Sequence, residues 1–376
     1  MLLLTTLLTL LSALPHISST AAAAAAGRVG NREEHARTPS ILRPLPSSTI
    51  YQFDANGTWL ENIAVRPNGD LLVTMLSPTA SLYTLKRPYL YSTGSGNSGG
   101  GELSLIHTFE NATGLLGITE LGHDTYAVIA LGGDDGTSAV PSNVWLVTPP
   151  PHHLPGASSS SSSWNVKKIA TLPASVTVPN GIAHVPGSSA VLVGDSISGT
   201  ITRCESDNSN SSCSTVLSGP ELEPVARDDA RHIGVNGVRY HAGYVYWSNS
   251  ALVSVFRRKV DAKGFPVAGS GSLLVGKVEG GDVDVRFIDD FTRDKKGRLW
   301  MATYSSNAIV VLDTRDGKSE VVLGSASASA SASDIGGPTA TAFGRTVRDA
   351  HVLYVVTSGD SGEEPARIVA VHTDGY

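Results

Sequence analysis

One short pattern recurs six times along this chain, and it constrains the fold more than any other feature. Each copy starts at a register position, usually a polar or small residue, and continues through an apolar stretch, a turn and a β-rich run. Consecutive copies start about 50 to 64 residues apart, a spacing typical of radial repeats. Six units predict an all-β fold, a six-bladed β-propeller with four-stranded blades around a central channel. The register positions are Glu61, Leu116, Asn180, Asn236, Asp289 and Thr339.

Strand and turn signals alternate within each repeat, as a propeller requires. In the first repeat, a Pro-Asn-Gly-Asp turn precedes a strand predicted at residues 71–74. No long segment has a 3.6-residue hydrophobic period, so we expect few helices. Residues 49–53 are predicted to pair beside residues 367–371, which would close the ring and remove two sheet edges. The other predicted strands cover residues 81–85, 126–131, 143–147, 190–194, 244–248, 299–303, 308–313 and 352–357.

The N-terminal segment has a different composition from the repeats. An apolar run at residues 2–14, followed by small residues, predicts a signal peptide over residues 1–25, with cleavage between residues 20 and 26. The alternatives are a membrane anchor or an uncleaved apolar tail. Residues 26–48 lack periodicity and are predicted to form a flexible lead, which leaves residues 49–376 for the propeller. After cleavage we expect no stable membrane span.

Two further features agree with passage through the secretory pathway. Three Asn-x-Ser/Thr sequons are predicted glycosylation sites, at Asn56, Asn111 and Asn210. Cys204 and Cys213 are nine residues apart across a Ser/Asn-rich turn, which predicts a disulfide in an oxidising compartment, with two free thiols as the alternative. We therefore expect a secreted protein, or one delivered to a vesicular or vacuolar compartment.

Composition excludes one class of partner. The formal net charge is −6 and no long Lys/Arg tract is present, so we expect no nucleic-acid binding. Hydrophobic residues make up 41% of the chain and charged residues 16%, which favours a folded chain over a disordered one. Low-complexity insertions at residues 92–101, 149–164 and 325–333 are predicted to be solvated loops. We interpret His152 and His153, in the second insertion, as an incidental pair.

Four register positions carry oxygen-bearing side chains: Glu61, Asn180, Asn236 and Asp289. A propeller gathers equivalent positions around one axis, so these side chains are expected to converge at one mouth of the channel. Carboxylate and amide oxygens suit a hard cation such as Ca²⁺ or Mg²⁺. A carboxyl in a partly buried channel can instead act as a general acid or base. The alternative is that these residues only cap strand entries through turn hydrogen bonds.

These motifs resemble the SMP-30/gluconolactonase/luciferin-regenerating-enzyme group of six-bladed propellers, over roughly residues 50–376. Glu61 matches the group's Glu that opens the first inner strand. Asn180 in PNGIA matches its substrate-side Asn, and Asn236 in VNGVRY matches its metal-binding Asn. Asp289, which GRLWMAT follows at residues 297–303, matches its metal-binding Asp. The resemblance implies a divalent-ion site, with Ca²⁺ as the candidate, formed by Glu61, Asn236 and Asp289 and either occupied or vestigial.

Two departures separate this chain from the simple lactonase pattern. The group's Glu-Gly-Pro is Glu61-Asn62-Ile63 here, and its Asp-Gly is Asp289-Asp290. Together with the signal peptide and the sequons, the chain looks more like a secreted fungal branch found with natural-product pathways. That branch includes hetero-Diels-Alderases of tropolone–sesquiterpene meroterpenoid biosynthesis, so the resemblance implies small apolar natural products as substrates.

Three functions follow from these observations. The first is a hetero-Diels-Alderase that joins a tropolone o-quinone methide to a humulene-type sesquiterpene, forming a dihydropyran, and this cycloaddition requires no cofactor. Glu61 and Asp289 would supply the acid, while Asn180 and Asn236 would orient the substrate. The second is a divalent-metal-dependent lactonase of the gluconolactonase type, and the third is a non-enzymatic ligand-binding propeller. Predicted apolar walls of the pocket, with interblade packing as the alternative, are Leu116, Phe287, Phe291 and Tyr304.

Overall fold

The computed structural model describes residues 44–90, 101–133, 140–150, 163–207, 210–225, 232–324 and 335–376. The predicted signal peptide, most of the flexible lead, the pair His152 and His153 and most of the three low-complexity insertions lie outside these residues. Among the helices of the described part, none has the length and hydropathy needed to cross a bilayer.

Six antiparallel four-stranded sheets form the blades of a propeller, so the predicted fold class is confirmed. The innermost strands contact one another around the central axis. They are β2 (Trp59–Val65), β6 (Gly114–Gly122), β10 (Pro179–His184), β14 (Val235–His241), β18 (Phe291–Arg293) and β22 (Pro338–Phe343). The second strands are β3 (Leu71–Ser77), β7 (Thr125–Leu131), β11 (Ala190–Asp195), β15 (Tyr244–Asn249), β19 (Leu299–Ala302) and β23 (Val352–Thr357).

The two outer strands of each blade contain fewer apolar residues and are more exposed than the two inner strands. The third strands are β4 (Ser81–Leu85), β8 (Asn143–Thr148), β12 (Thr200–Asp207), β16 (Ser254–Lys259), β20 (Ile309–Leu312) and β24 (Arg367–His372). The outermost strands are β5 (Leu103–Thr108), β9 (Asn165–Thr171), β13 (Asn210–Ser218), β17 (Leu273–Lys277), β21 (Ser319–Leu323) and β1 (Ser47–Gln52). The described helical segments are short turns at Pro88–Leu90, Tyr304–Ser306 and Gly359–Gly362.

The N-terminal strand closes the ring, as predicted. β1 pairs antiparallel with β24, and Thr49 lies opposite Val369. The sixth blade therefore combines the first strand of the propeller with its last three. This pairing ties the two ends of the described chain into one sheet and leaves no gap between the first blade and the last.

The hydrophobic core lies between neighbouring blades. Leu72 of the first blade packs in one buried cluster with Tyr126 and Val128 of the second. Trp247 of the fourth blade is buried with Leu192 of the third. Because both faces of a blade are covered, the second strands are buried along nearly their whole length and read as continuous apolar runs.

Hydroxyl groups on the inner and second strands connect neighbouring blades near the axis. Thr74 Oγ1 donates to the carbonyl of Leu116 at 2.8 Å, and Ser248 Oγ donates to the carbonyl of Asp289 at 2.8 Å. Thr339 Oγ1 donates to the carbonyl of Leu60 at 2.7 Å and so spans the junction where the ring closes. Each bond satisfies a buried carbonyl at or next to a register position, so the hydroxyls hold those positions in a fixed ring.

Candidate active site

The backbone is irregular at every register position. In five inner strands the pairing register shifts there, so the register residue opposes no partner. In the fifth blade Asp289 precedes β18, and its N–H donates to the carbonyl of Ala302 at 2.8 Å. A bulge bends a strand and re-aims the side chain of the extra residue. The repeated sequence pattern therefore marks a repeated bulge at the start of five of the six inner strands.

The four predicted polar residues line one cavity on the axis. Its volume of about 20 Å³ exceeds the 10–15 Å³ that a single water molecule needs, so it admits one water-sized group. Leu116 and Phe287, predicted as apolar neighbours, also line it. Carboxyl and amide groups thus face a small space with apolar walls. The lining residues are Trp59, Glu61, Leu76, Leu116, Asn180, Ile233, Asn236, Phe287 and Asp289.

Two of the predicted wall residues lie elsewhere. Phe291 is buried with Val255 and Met301 between the fourth and fifth blades, because it alternates with Asp290 along the chain and faces the opposite side. Tyr304 stands behind the wall: its ring stacks on Trp59 at 5.4 Å between centroids and packs against Phe287 at 5.6 Å. The prediction that these two residues line the pocket is therefore wrong, although Tyr304 supports two residues that do.

Glu61 is the carboxyl with the clearest perturbation. Burial raises its pKa to about 7, and the negative charge of Asp290 acts in the same direction. A hydrogen bond from the indole N–H of Trp59 to Glu61 Oε2, at 2.6 Å, opposes this rise but does not cancel it. A carboxyl with a pKa near neutrality can both donate and accept a proton at physiological pH.

Asp289 is perturbed in the same direction. Burial and the nearby charges of Glu61 and Asp290 hold its pKa well above the usual range, and a hydrogen bond from the Asn236 side chain opposes them. Among the described residues neither Glu61 nor Asp289 has a cationic partner. Two like charges in one buried site disfavour joint ionisation, which favours a state in which one carboxyl of the pair is protonated.

Asn236 provides a direct test of whether this site fits a metal ion. Its side-chain N–H donates to Ser250 Oγ at 3.0 Å, whereas its buried Oδ1 has no hydrogen-bond partner among the described residues. This free amide oxygen lies beside two carboxyl groups. Amide and carboxylate oxygens are the ligands that Ca²⁺ or Mg²⁺ prefers. Glu61, Asn236 and Asp289 therefore fit the divalent ion that the resemblance implies.

Asn62 and Asp290, the two residues at which this chain departs from the lactonase pattern, contact each other. Asn62 Nδ2 donates to Asp290 Oδ2 at 2.7 Å, and Arg239 Nη2 donates to the same oxygen at 2.6 Å. The Asp290 side chain is only 3% exposed, so this is a buried ion pair with one supporting amide. The three residues, called the channel clasp below, lie directly beyond the axial cavity, because Asn62 and Asp290 follow Glu61 and Asp289.

Glycine occupies the equivalent position in the second, third and fourth blades, as Gly117, Gly181 and Gly237, and leaves no side chain there for a comparable contact. A Cβ atom at Gly117 would lie 2.5 Å from the carbonyl oxygen of Asn180, and one at Gly181 would lie 2.2 Å from that of Asn236. Neighbouring inner strands are thus too close for a side chain at these positions. Asn62 and Asp290 carry side chains where Gly117 and Gly181 carry none, and the two side chains bond across the channel.

Trp59 is a site residue that sequence reasoning missed. It lies two positions before Glu61 in β2, so the two side chains share one face of the strand. That spacing was a readable signal, because a large aromatic donor beside a buried carboxyl can bind it. Leu76 and Ile233 also line the cavity, but no local signal in the sequence distinguishes them from other core residues.

The predicted modification sites lie away from the axial cavity. Asn56 is exposed in a turn, although its amide donates to the carbonyl of Glu363 at 2.7 Å. Asn111 is exposed and has φ of 64°, and Asn210 opens β13. Cys204 and Cys213 lie opposite each other in β12 and β13, with their sulfur atoms bonded at 1.99 Å.

Comparison with curated proteins finds similarity over most of the chain. A protein of a Phoma species, named as a proposed hetero-Diels-Alderase, is 26% identical and covers 89% of this chain and 92% of its own length. A Sarocladium schorii protein with the same proposed activity is 24% identical and covers 83% of this chain and 78% of its own length. No protein-family model matches the chain.

Comparison with solved structures supports the fold. A luciferin-regenerating enzyme aligns with a TM-score of 0.56 at 13% identity, over 88% of this chain and 96% of its own. The calcium-binding protein regucalcin of Agrobacterium tumefaciens aligns with a TM-score of 0.53 at 14% identity, over 87% of this chain and 94% of its own. The predicted resemblance is confirmed: the chain is similar in sequence to proteins named as hetero-Diels-Alderases and similar in fold to this group of propellers.

Proposed function

We propose that this protein is a hetero-Diels-Alderase that joins a tropolone o-quinone methide to a humulene-type sesquiterpene and forms a dihydropyran. The observation that carries the proposal is a pair of buried carboxyls, Glu61 and Asp289, facing an apolar-walled cavity without a cationic partner among the described residues. The names of the two curated relatives support the same reaction class. We take small apolar natural products as the substrates.

The acid step would begin with Glu61 in its protonated form. Its proton passes to the benzylic hydroxyl of a hydroxymethyl tropolone, the C–O bond breaks, and water leaves. The Glu61 carboxylate then accepts the proton of the ring hydroxyl, which yields the neutral o-quinone methide and restores the acid. Because the cavity measures about 20 Å³, it admits only the reacting oxygen, and the carbon skeletons lie outside it.

The cycloaddition itself moves no proton. One C–C and one C–O bond form between the heterodiene and the terpene alkene, so the protein contributes alignment and polarisation. Asn180 and Asn236 both contribute amides to the cavity wall. The Asn180 amide would donate to the heterodiene oxygen, and Asn236, whose N–H groups bind Ser250 and Asp289, would hold Asp289 in place, while Leu116 and Phe287 exclude water from the reacting atoms. This chemistry requires no cofactor.

A divalent-metal-dependent lactonase is the second candidate, and it is favoured by Asn236 Oδ1, which has no hydrogen-bond partner in the part of the chain that the structure describes. Glu61, Asn236 and Asp289 would hold a Ca²⁺ or similar ion, and Asn180 would contact the substrate. Such an ion, when bound, polarises an ester carbonyl and activates water. The small cavity has room for one ion, and the ion's charge would return both carboxyls to their ionised forms.

Product analysis separates these candidates. Purified protein is incubated with the hydroxymethyl tropolone and the terpene alcohol, and product ratios and stereochemistry are compared with an uncatalysed mixture. We expect one dihydropyran stereoisomer to dominate, with and without EDTA. Unchanged product ratios would contradict the cycloaddition. Lactone hydrolysis that EDTA abolishes and Ca²⁺ restores would establish the second candidate, and turnover of neither substrate set would favour a ligand-binding propeller.

We also propose that the chain enters the secretory pathway and is glycosylated at Asn56, Asn111 and Asn210. The exposure of Asn56 and Asn111 is what the transferase requires. Expression in a fungal host, N-terminal sequencing and treatment with an endoglycosidase test this directly. We expect a mature N-terminus between residues 20 and 26 and a mass loss on deglycosylation. A protein that keeps Met1 and its mass would contradict the proposal.

A further inference from the structure

A second cleft opens at the far mouth of the ring, where β2, β18 and β22 end. Its volume of about 450 Å³ is in the range of roughly 300–1,000 Å³ typical of small-molecule sites. Val65 lines this cleft and Glu61 lines the axial cavity. Along the strand, four residue steps of about 3.3 Å place them roughly 13 Å apart, with the channel clasp between the two spaces.

Aromatic side chains form one wall of this far cleft. Trp300 is buried, and Phe343 and Tyr376 meet its ring edge-on at 5.4 and 5.3 Å between centroids. Both outer rings are half-buried, so each presents part of its surface to the cleft. The Arg298 guanidinium lies over Tyr376 at 4.7 Å and holds this ring in place. The wall is therefore aromatic and apolar, with the rings of Phe343 and Tyr376 steeply inclined to that of Trp300.

Cations exceed acids in the far cleft. Its lining contains one acidic residue, Asp294, against five cationic ones: Arg293, Lys295, Lys296, Arg298 and Arg345. Arg298 is paired with Asp294 at 2.7 Å, and Arg345 with Glu120 at 2.6 Å. Their charges are therefore largely compensated inside the protein.

Lys296 Nζ donates to the main-chain oxygen of Tyr376, whereas among the described residues no carboxylate lies within ion-pair distance of Arg293 or Lys295. Arg293 Nη1 lies 2.8 Å from His241 Nε2. Burial and the Arg293 charge lower the pKa of His241, so the neutral imidazole accepts this bond and orients the guanidinium without cancelling its charge. Two uncompensated cations thus line the same cleft as the aromatic wall.

We infer that the far cleft binds a conjugated organic acid in its anionic form. The flat body of the ligand lies against Phe343 and Tyr376, and its carboxylate accepts hydrogen bonds from Arg293 and Lys295. A guanidinium that is held in place can form two parallel hydrogen bonds with a planar carboxylate. This site shares no lining residue with the axial cavity, so it goes beyond the proposed reaction and does not depend on it.

Calorimetric titration of the full chain with 2-naphthoate, and separately with neutral 2-naphthamide, tests this inference. The two probes have the same flat body and differ in charge. We expect naphthoate to bind about tenfold more tightly, since each exposed cation contact contributes up to roughly fivefold. Replacing both cations, in Arg293→Gln/Lys295→Gln, should remove this preference. The matched control is Lys277→Gln, an exposed lysine on β17, which should keep it.

Any other outcome contradicts the inference that the far cleft binds an organic anion. Equal binding of both probes, no binding of naphthoate by the wild type, or a preference that survives the double substitution would overturn the inference. Glu61→Gln should bind naphthoate like the wild type, and loss of binding there would place the ligand in the axial cavity instead. Circular dichroism on each variant verifies that the fold is intact, and the result is independent of whether cycloaddition occurs.

Discussion

The two mouths of this propeller differ in charge, size and burial. At one, Glu61 and Asp289 are buried in an axial cavity of about 20 Å³. At the other, exposed Arg293 and Lys295 border a cleft of about 450 Å³. A buried carboxyl pair resists ionisation and suits proton transfer, whereas exposed cations remain charged and suit binding. We therefore propose acid chemistry at one end of the ring of strands and anion recognition at the other.

The largest effect is expected from Glu61→Gln. An amide cannot transfer the proton, so formation of the cycloadduct should fall by about 10²- to 10⁴-fold, as measured by chromatography of product against time. Glu279→Gln, which changes an exposed glutamate far from the axis, is the matched control and should retain full activity. Full activity in Glu61→Gln would mean that the axial mouth does not supply the acid.

The next largest effect is expected from a substitution in the channel clasp, which lies between the two mouths. Asp290→Ala removes the acceptor that Asn62 and Arg239 share, and the loss of one partner of a buried ion pair costs about 3–5 kcal/mol. Urea unfolding measures the free energy. Asp290→Asn keeps an acceptor of similar shape and should lose less. If Asp290→Ala unfolds at the same urea concentration as the wild type, the clasp does not stabilise the channel.

The pH dependence of stability should distinguish the axial carboxyls from the far cations. The pKa of Glu61 rises on folding from 4.5 to about 7, so its favourable contribution is complete below pH 4.5 and is lost as pH rises through 7. Relative to Glu61→Gln, the wild type should lose roughly 3 kcal/mol over that window. Parallel stability curves for the two proteins, from urea unfolding at several pH values, would contradict the assignment.

The smallest effect is expected at the far mouth. Arg293→Gln/Lys295→Gln changes exposed side chains that no carboxylate among the described residues neutralises, so the free energy of unfolding should change by no more than about 0.5 kcal/mol. Cycloadduct yield should also be unchanged. A large loss of stability, measured by urea unfolding, would show that these cations support the fold and would weaken the contrast between the mouths.

Much of the axial site was predictable from the sequence, for a geometric reason. Repeats that fold alike place equivalent residues at equivalent distances from one axis. Glu61, Asn180, Asn236 and Asp289 therefore line one cavity as expected. The bulge that aims each of them was not predicted, because period and composition do not reveal a single unpaired residue.

The residues that sequence reasoning placed incorrectly, or did not connect, are those next to the register positions rather than the register residues themselves. Phe291 was assigned to the pocket because it is close to Asp289 along the chain, but alternation along the strand turns it between two blades. Asn62 and Asp290 appeared in the sequence as two separate departures from a known pattern. They are 228 residues apart, and only closure of the ring makes them partners.

The sequence by itself determined the all-β propeller, its six units and the residues that meet on the axis, because repetition and alternation are properties of one chain read in order. Tertiary structure alone decided the raised pKa of Glu61, the channel clasp and the far cleft. Each of these depends on distances between blades: burial raises the pKa, Arg239 reaches Asp290 from a neighbouring strand, and Phe343 and Tyr376 meet across Trp300. Such distances exist only after the ring has closed.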